Sequence, residues 1–419
     1  MASKQRRVLL VNRYFHPDTS ATSQIASDLA AFLAGQGWEV VAITGAGRYD
    51  EPTRRLDSEA VLPGVSIHRV GPLTEAGPSL LRRAAAALAV HAALAFEVWR
   101  RSRAGDLVVV KTDPPLLSVS LLPVVLARRL RQVNWLQDIY PEVAAELGVK
   151  AGRGLLGGVL RSLRNASLRH AVMNVAVGDG MKTKVAGFGV PASRIATICN
   201  WCDDRRIQPA DAEPNRLRRD WGLQDKFVIG YSGNLGRAHE IDTLIGAARL
   251  LRDEPGIAFL FIGNGYLIPC LKRAVADQGL ETMFRFRPYQ DAGTLPQSLT
   301  VPDIHWLSLN PRLEGLIVPS KFYGIAAAGK PMIAVMARDG EISSLIRRSD
   351  CGAVVAPGDS VGFATIVREW RSRPDLLAEK GRNARALIDS GLDRLSSLHG
   401  WQELLLSVEG PAKSRAPRP

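Results

Sequence analysis

A chain of 419 residues is long for one hydrophobic core and divides most naturally into two domains. Its 46% hydrophobic and 23% charged residues exclude a largely disordered chain, and four cysteines exclude a disulfide-stapled secreted scaffold, so reduced thiols in a cytoplasm are expected. The formal charge of +13 is uneven: residues up to Arg205 carry 26 Lys and Arg against 17 Asp and Glu, the remainder 28 against 24. A basic N-terminal half fits an anionic membrane surface, whereas the scattered arginines and the absence of any nucleic-acid signature speak against nucleic acid.

In chain order, Val8 to Val11 reads as a buried parallel strand followed by a polar loop, Asn12 to Ser23, which contains Tyr14, His16 and Asp18. Ile25, Leu29, Ala30 and Leu33 recur at helical spacing, and the next strand is Val40 to Thr44. This βαβ start places its first loop at the carboxyl end of a strand, where open α/β sheets bind ligands. A short run, Val65 to Val70, precedes an Ala-rich helix, Leu80 to Trp99. Its apolar part, Ala84 to Phe96, lies between Arg82, Arg83, Arg100 and Arg101. At about 13 residues it is too short to span a bilayer, which takes roughly 20, and it fits either a core or a membrane surface. The strand Leu107 to Lys111 and the strand Gln132 to Leu136 both end in polar groups, the second in Gln137, Asp138, Ile139, Tyr140 and Pro141. Asp138 there either serves chemistry or caps the next helix. Helices Leu155 to His170 and Asp179 to Phe188, with strands near 174–177 and 195–198, complete the first half.

The pattern then restarts. Strand Phe227 to Tyr231 opens into the glycine loop Ser232 to Gly236, and strand Ala258 to Ile262 ends in Gly263, Asn264 and Gly265. Phe284 to Phe286 leads to Arg287, Pro288 and Tyr289. After strand Ile304 to Leu309 comes RLEGLIVPSKFYGIAAAGKP, residues 312–331, in which Pro319 at a first helical position and Gly329 and Pro331 as stops bound one short helix. Ser320 and Lys321 at its start, with Glu314 just before, make a phosphate seat with a carboxylate beside it. Strands at 332–335 and 353–355 and an amphipathic helix around Trp401 close the chain.

Several chemistries are excluded. Neither glycine loop gives GxGxxG, no GxxxxGK[ST] or GxSxG occurs, and the seven histidines form no metal-ligand pattern. The CNWC spacing of Cys199 and Cys202 lacks the second ligand pair or the redox context that would give it a role. No signal peptide is read at the start of the sequence.

The order YSGNLGRAHEIDTLI, FLFIGNG, FRFRPY and LEGLIVPSKFYGIAAAGKPMIAV resembles the C-terminal domain of retaining GT-B glycosyltransferases of family 4. PSKFYGIAAAGKP, together with DIYPE and NWCD, is similar to the colanic-acid, exopolysaccharide-building branch. The resemblance implies an α/β chain of two Rossmann-like doubly wound domains facing a central cleft. These are an acceptor domain at 1–205 and a nucleotide-sugar domain at 206–390, with a helix at 391–410 packing back toward the first domain and a disordered tail at 411–419. It also implies that Gly233, Asn234 and Arg237 face the donor diphosphate, with Gly263 and Gly265 on a donor-side turn and Arg287 and Tyr289 near the base. Glu314 meets the donor sugar, and Ser320 and Lys321 meet its phosphates. Asp138 is then an acceptor-side catalytic residue, with Tyr14, His16, Asp18 and Tyr140 lining the acceptor side. Two departures from the family stand out: Gly324 falls where a ribose-binding Glu is usual, and a common Arg–Lys pair is reduced to Arg237. The implied reaction is transfer of a sugar from a nucleotide sugar to a lipid-linked or oligosaccharide acceptor, without cofactor or metal, at the cytoplasmic face of the inner membrane. The diphosphate itself helps to deprotonate the acceptor. A sugar-nucleotide epimerase or a non-catalytic binding relative of the same fold is the alternative.

Overall fold

The computed structural model describes residues 6–49, 51, 53–56, 61–73, 80–149, 152–209 and 215–409, so the tail expected at 411–419 lies outside it. The chain forms two compact units, Met1–Ile198 with Leu398–Pro419, and Cys199–Ser397. The division at 198/199 comes ahead of the 205/206 boundary read from the sequence, because Trp201 and Ile207 are buried and Cys202 donates to the Tyr323 carbonyl within the second unit.

The first unit is a seven-stranded parallel sheet in the order β3-β2-β1-β4-β5-β6-β7. Its strands are β1 Arg7–Asn12, β2 Glu39–Gly45, β3 Val65–Val70, β4 Leu107–Lys111, β5 Arg131–Leu136, β6 Met173–Ala176 and β7 Ile195–Thr197. The second is a six-stranded parallel sheet in the order β10-β9-β8-β11-β12-β13. It is built from β8 Phe227–Ser232, β9 Ile257–Ile262, β10 Phe284–Arg287, β11 Ile304–Ser308, β12 Met332–Val335 and β13 Gly352–Val355. Runs such as Leu107–Lys111 and Ile257–Ile262 are buried along their whole length, as strands covered by helices on both faces must be. In each sheet the order reverses at one place, between β1 and β4 and between β8 and β11. Loops leaving adjacent strands diverge there and open a crevice at the carboxyl edge.

Helix Leu80–Arg101 turns Val90, Leu94 and Val98 into the core of the first unit and leaves Leu88, Phe96 and Trp99 outside. Among the described residues no helix is long and apolar enough to cross a membrane. The last helix, Arg394–Val408, begins in the second unit, and from Leu398 its residues pack with the first. Trp401 is fully buried with its ring 4.4 Å from that of Trp135, and His399 meets the ring of Phe32 edge-on. The sequence alone did not reveal helix Glu341–Arg348, which bears directly on Glu314.

Candidate active site

In the second unit the crevice lies between the exits of β8 and β11. His239 joins them, its Nδ1 2.8 Å from the Ser308 carbonyl and its Nε2 3.1 Å from the Tyr231 hydroxyl, which donates to the Asn234 carbonyl. The Glu240 amide donates to Ser308 Oγ, and the Asn310 amide to the Ala238 carbonyl. Burial and the neighbouring Lys321 push His239 down to about 3, so the ring is neutral and acts as a strut. Against this frame Gly263 and Gly265 have positive φ, and a Cβ on them would fall on the backbone of Gly233 and of Leu235. Only glycine allows these turns to close together. The Tyr289 ring lies beside Gly263.

Lys321 crosses the same turn. A Cβ on Gly233 would stand 2.7 Å from Lys321 Cε, and the ammonium lies 5.3 Å from the Tyr231 ring centroid. Burial alone lowers its pKa to about 8, and among the described residues no carboxylate forms an ion pair with it. A desolvated, uncompensated cation at a glycine-lined crevice is suited to stabilising negative charge on a ligand. The helix that starts here is Lys321–Ala327, with Ser320 at its N-cap position making no side-chain cap and Pro319 one residue earlier. This corrects the expected Pro319 start. At seven residues the helix contributes little dipole, so the ammonium is the principal charge.

Glu314 sits next to this group, but its carboxylate is already engaged. Oε1 accepts the Glu341 amide at 2.9 Å and the group packs on Gly340, capping helix Glu341–Arg348. Burial raises its pKa. The structure brings Gly233, Asn234, Gly263, Gly265, Tyr289, Ser320 and Lys321 to one edge of the sheet with Glu314. Two arginines are held to the side: Arg237 stacks 3.9 Å over the Tyr266 ring, and Arg287 lies 5.7 Å from that of Trp221. Gly324 is an ordinary helical position whose Cβ would meet only Leu299, at 3.7 Å.

In the first unit the exits of β1, β4 and β5 form a second group. The Arg13 amide donates to the Asp113 carbonyl at 2.7 Å, fastening the β1 and β4 loops together. Lys111 is buried at the end of its strand, donates to the Thr22 carbonyl at 2.9 Å and lies 4.3 Å from the Trp135 ring centroid. Burial lowers it to about 7, opposed by Asp113 and Asp138. Burial raises Asp138 to about 7, with Asp113 adding to the rise and Lys111 opposing it; Asp113 itself lies near 6. Burial, with Asp138 and Asp113 adding to it, pushes Tyr140 up to about 12. The helix after this loop, Glu142–Glu146, has Pro141 at its N-cap and no side-chain cap, so Asp138 does not cap it.

Of the other acceptor-side residues, Tyr14 is buried edge-on against Tyr49, and the His16 carbonyl accepts from Arg69. Asp18 spends both carboxylate oxygens on the amides of Ser20 and Tyr49, which makes it a clamp for its loop. Sequence reasoning had passed over Lys111 and Asp113. The available signal was a lysine closing the apolar run LVVV at a strand exit. Cys199 and Cys202 form no disulfide, and among the described residues no group of three His, Cys, Asp or Glu side chains is arranged around a metal position.

Two family models match this chain, one in each half. Residues 21–201 match the model of the glycosyl transferase 4-like domain, and residues 214–387 that of the glycosyl transferases group 1. WbjE of Pseudomonas aeruginosa, assigned as a glycosyltransferase, is 29% identical over 69% of this chain and 72% of its own length. WcaI of Escherichia coli K12, assigned to colanic acid biosynthesis as a glycosyl transferase, is 27% identical over 77% of this chain and 81% of its own. Among solved structures, Anabaena HepE in complex with UDP-glucose superposes with a TM-score of 0.72 at 18% identity, covering 96% of this chain and 99% of that one. Sucrose-phosphate synthase from Thermosynechococcus elongatus gives 0.71 at 15% identity, with coverages of 96% and 99%.

Proposed function

This chain is a glycosyltransferase of the GT-B fold and the family 4 type, and from that premise we propose a specific reaction for it. It moves a sugar from a nucleotide sugar to a lipid-linked or oligosaccharide acceptor, with retention of configuration, in building a bacterial exopolysaccharide. The observation that carries the reading is the half-buried Lys321, its side chain laid across the Gly233 turn and its ammonium without a carboxylate partner among the described residues. As the bond between the sugar and the diphosphate breaks, negative charge grows on the diphosphate, and a preorganised cation in a desolvated crevice stabilises it more than water does. The acceptor oxygen bonds to the sugar carbon and its proton passes to the departing diphosphate. Asp138 orients the acceptor hydroxyl or takes the proton late. The UDP-glucose complex of HepE and the relatedness to WcaI support the donor class and the pathway class.

The test is incubation of the purified protein with a panel of nucleotide sugars and a membrane extract. Incorporation of sugar into the extract is expected from one donor. Conversion of a free nucleotide sugar to its epimer, with nothing incorporated, would replace this reading with the epimerase one.

Glu314 offers a finer check. Gln keeps an oxygen for the Glu341 amide, so Glu314→Gln should fold normally. It loses the charged acceptor for sugar hydroxyls, so use of the nucleotide sugar should fall about 10- to 100-fold while affinity for the nucleoside diphosphate holds. Glu314→Ala should in addition cost about 1 kcal/mol of stability, as a lost cap does. Calorimetric diphosphate affinity measured beside turnover decides the matter, since equal loss of both would leave Glu314 as a helix cap only.

A further inference from the structure

The glutamate that closes the DIYPE segment has no part in the transfer chemistry, yet it is held in a specific way. Glu142 opens helix Glu142–Glu146 and pairs with Arg164 of helix Gly154–His170. Arg164 is 5% exposed and donates twice to the carboxylate, Nη1 to Oε2 at 3.0 Å and Nη2 to Oε1 at 2.6 Å. The same guanidinium is fixed on its other sides. Nη1 also reaches the Tyr140 carbonyl at 3.2 Å, Nε donates to Asn165 Oδ1 at 2.8 Å, and the guanidinium carbon lies 4.0 Å from the centroid of the Phe188 ring.

Such a pair is a poor source of stability. Taking two charges out of water costs about as much as their attraction returns, and apolar replacements of similar volume are commonly as stable. What a bidentate pair does supply is one fixed geometry. Here that geometry belongs to the Asp138 loop. Upstream of Asp138, the Gln137 amide donates to Thr112 Oγ1 at 3.2 Å and ties the loop to the exit of β4. Downstream, Ile139 is buried, and Arg164 holds the Tyr140 carbonyl together with Glu142. The Asp138 carboxylate stands between these two fastenings, half-buried, and among the described residues no hydrogen bond reaches it. A side chain left open on a backbone pinned at both sides is arranged for a ligand.

We propose that Arg164 and Glu142 are positioning residues for Asp138: their ion pair holds the loop so that the carboxylate stands where the acceptor hydroxyl arrives. Both act through the backbone of the loop. The proposal rests on the acceptor role given to Asp138 above.

The test uses the full chain, the nucleotide sugar that the donor panel selects, and the membrane extract as the source of acceptor. Glu142→Leu/Arg164→Met removes both charges together, so no buried ion is left alone. It should melt close to the wild-type temperature and keep its nucleoside-diphosphate affinity. Its turnover should still fall about 10- to 100-fold, the scale of a reacting group displaced by roughly 1 Å. Arg164→Lys keeps the charge but not the planar fork; it should lose turnover in the same direction, and it answers the same question if the double replacement does not fold. The decisive variant adds Asp138→Asn to the pair replacement. Because the pair acts through Asp138, the combination should be about as slow as Asp138→Asn alone. Losses that multiply would leave the pair with the fold only, and wild-type turnover in the pair variant would overturn the proposal. The acceptor reading fails differently: Asp138→Asn would then turn over at the wild-type rate, whatever the pair variant does.

Discussion

Replacing Lys321 with alanine is expected to lower turnover by about 10²-fold or more, the effect of removing one preorganised group that stabilises charge in the transition state. Lys321→Arg should not restore it. The stem threads past Gly233 with no room for a Cβ there, and a planar guanidinium is wider than an ammonium. The pH dependence follows from burial. Lys321 is cationic below about 8 and neutral above, so wild-type turnover should decline as pH rises through 8, and the alanine variant should lack that decline. The stability sign is opposite to the activity sign. The folded state holds fewer protons on this lysine than the unfolded state between about 8 and 10.5, so its contribution to stability rises with pH across that window and is a penalty below it. Lys321→Met should therefore unfold at a higher temperature than wild type at neutral pH while losing turnover. Thermal melts beside rates at pH 7 and 9 check both halves. A variant with near wild-type turnover would remove Lys321 from the chemistry.

The sheets were readable because their physics is local: a buried parallel strand must be apolar on both faces, and runs such as Leu107–Lys111 and Ile257–Ile262 have no other reading. Gly233, Gly263 and Gly265 stand at strand exits where the backbone approaches itself closely, as glycine permits, while Lys321 reads from the start of the short helix it opens. What the residues around them do depends on partners distant in sequence. Glu314 reads as a free loop carboxylate until helix Glu341–Arg348, too short and polar to declare itself, places its first amide against it. Arg237 and Arg287 read as site cations, yet an arginine beside an aromatic face has a second place to rest, and Tyr266 and Trp221 provide it. Lys111 and Asp113 went unread because their significance lies in the charge each places on Asp138 across neighbouring strand exits, which no spacing along the chain encodes.

That charge coupling sets the second large effect. Asp138→Asn is expected to lower turnover by about 10²- to 10⁴-fold, the range for a positioned group handling a proton, while nucleoside-diphosphate affinity stays at the wild-type value. Asparagine keeps the size of the side chain and removes its ionisation. Because burial and Asp113 hold the carboxyl near 7, wild-type turnover should rise as pH increases through 7, and the variant should have no such limb. Between the ordinary carboxylate value of 3.8 and about 7 the folded state binds the Asp138 proton more tightly than the unfolded state. Its contribution to stability therefore falls as pH rises through that window and is unfavourable above it. Asp138→Asn should consequently be at least as stable as wild type at pH 8, which a structural cap would not allow, and Pro141, not Asp138, occupies the cap position of the helix that follows. Rate profiles from pH 5 to 9 with thermal melts at each end test this. Reduced stability at pH 8 together with an unchanged acidic limb would show that Asp138 serves the fold and not the proton.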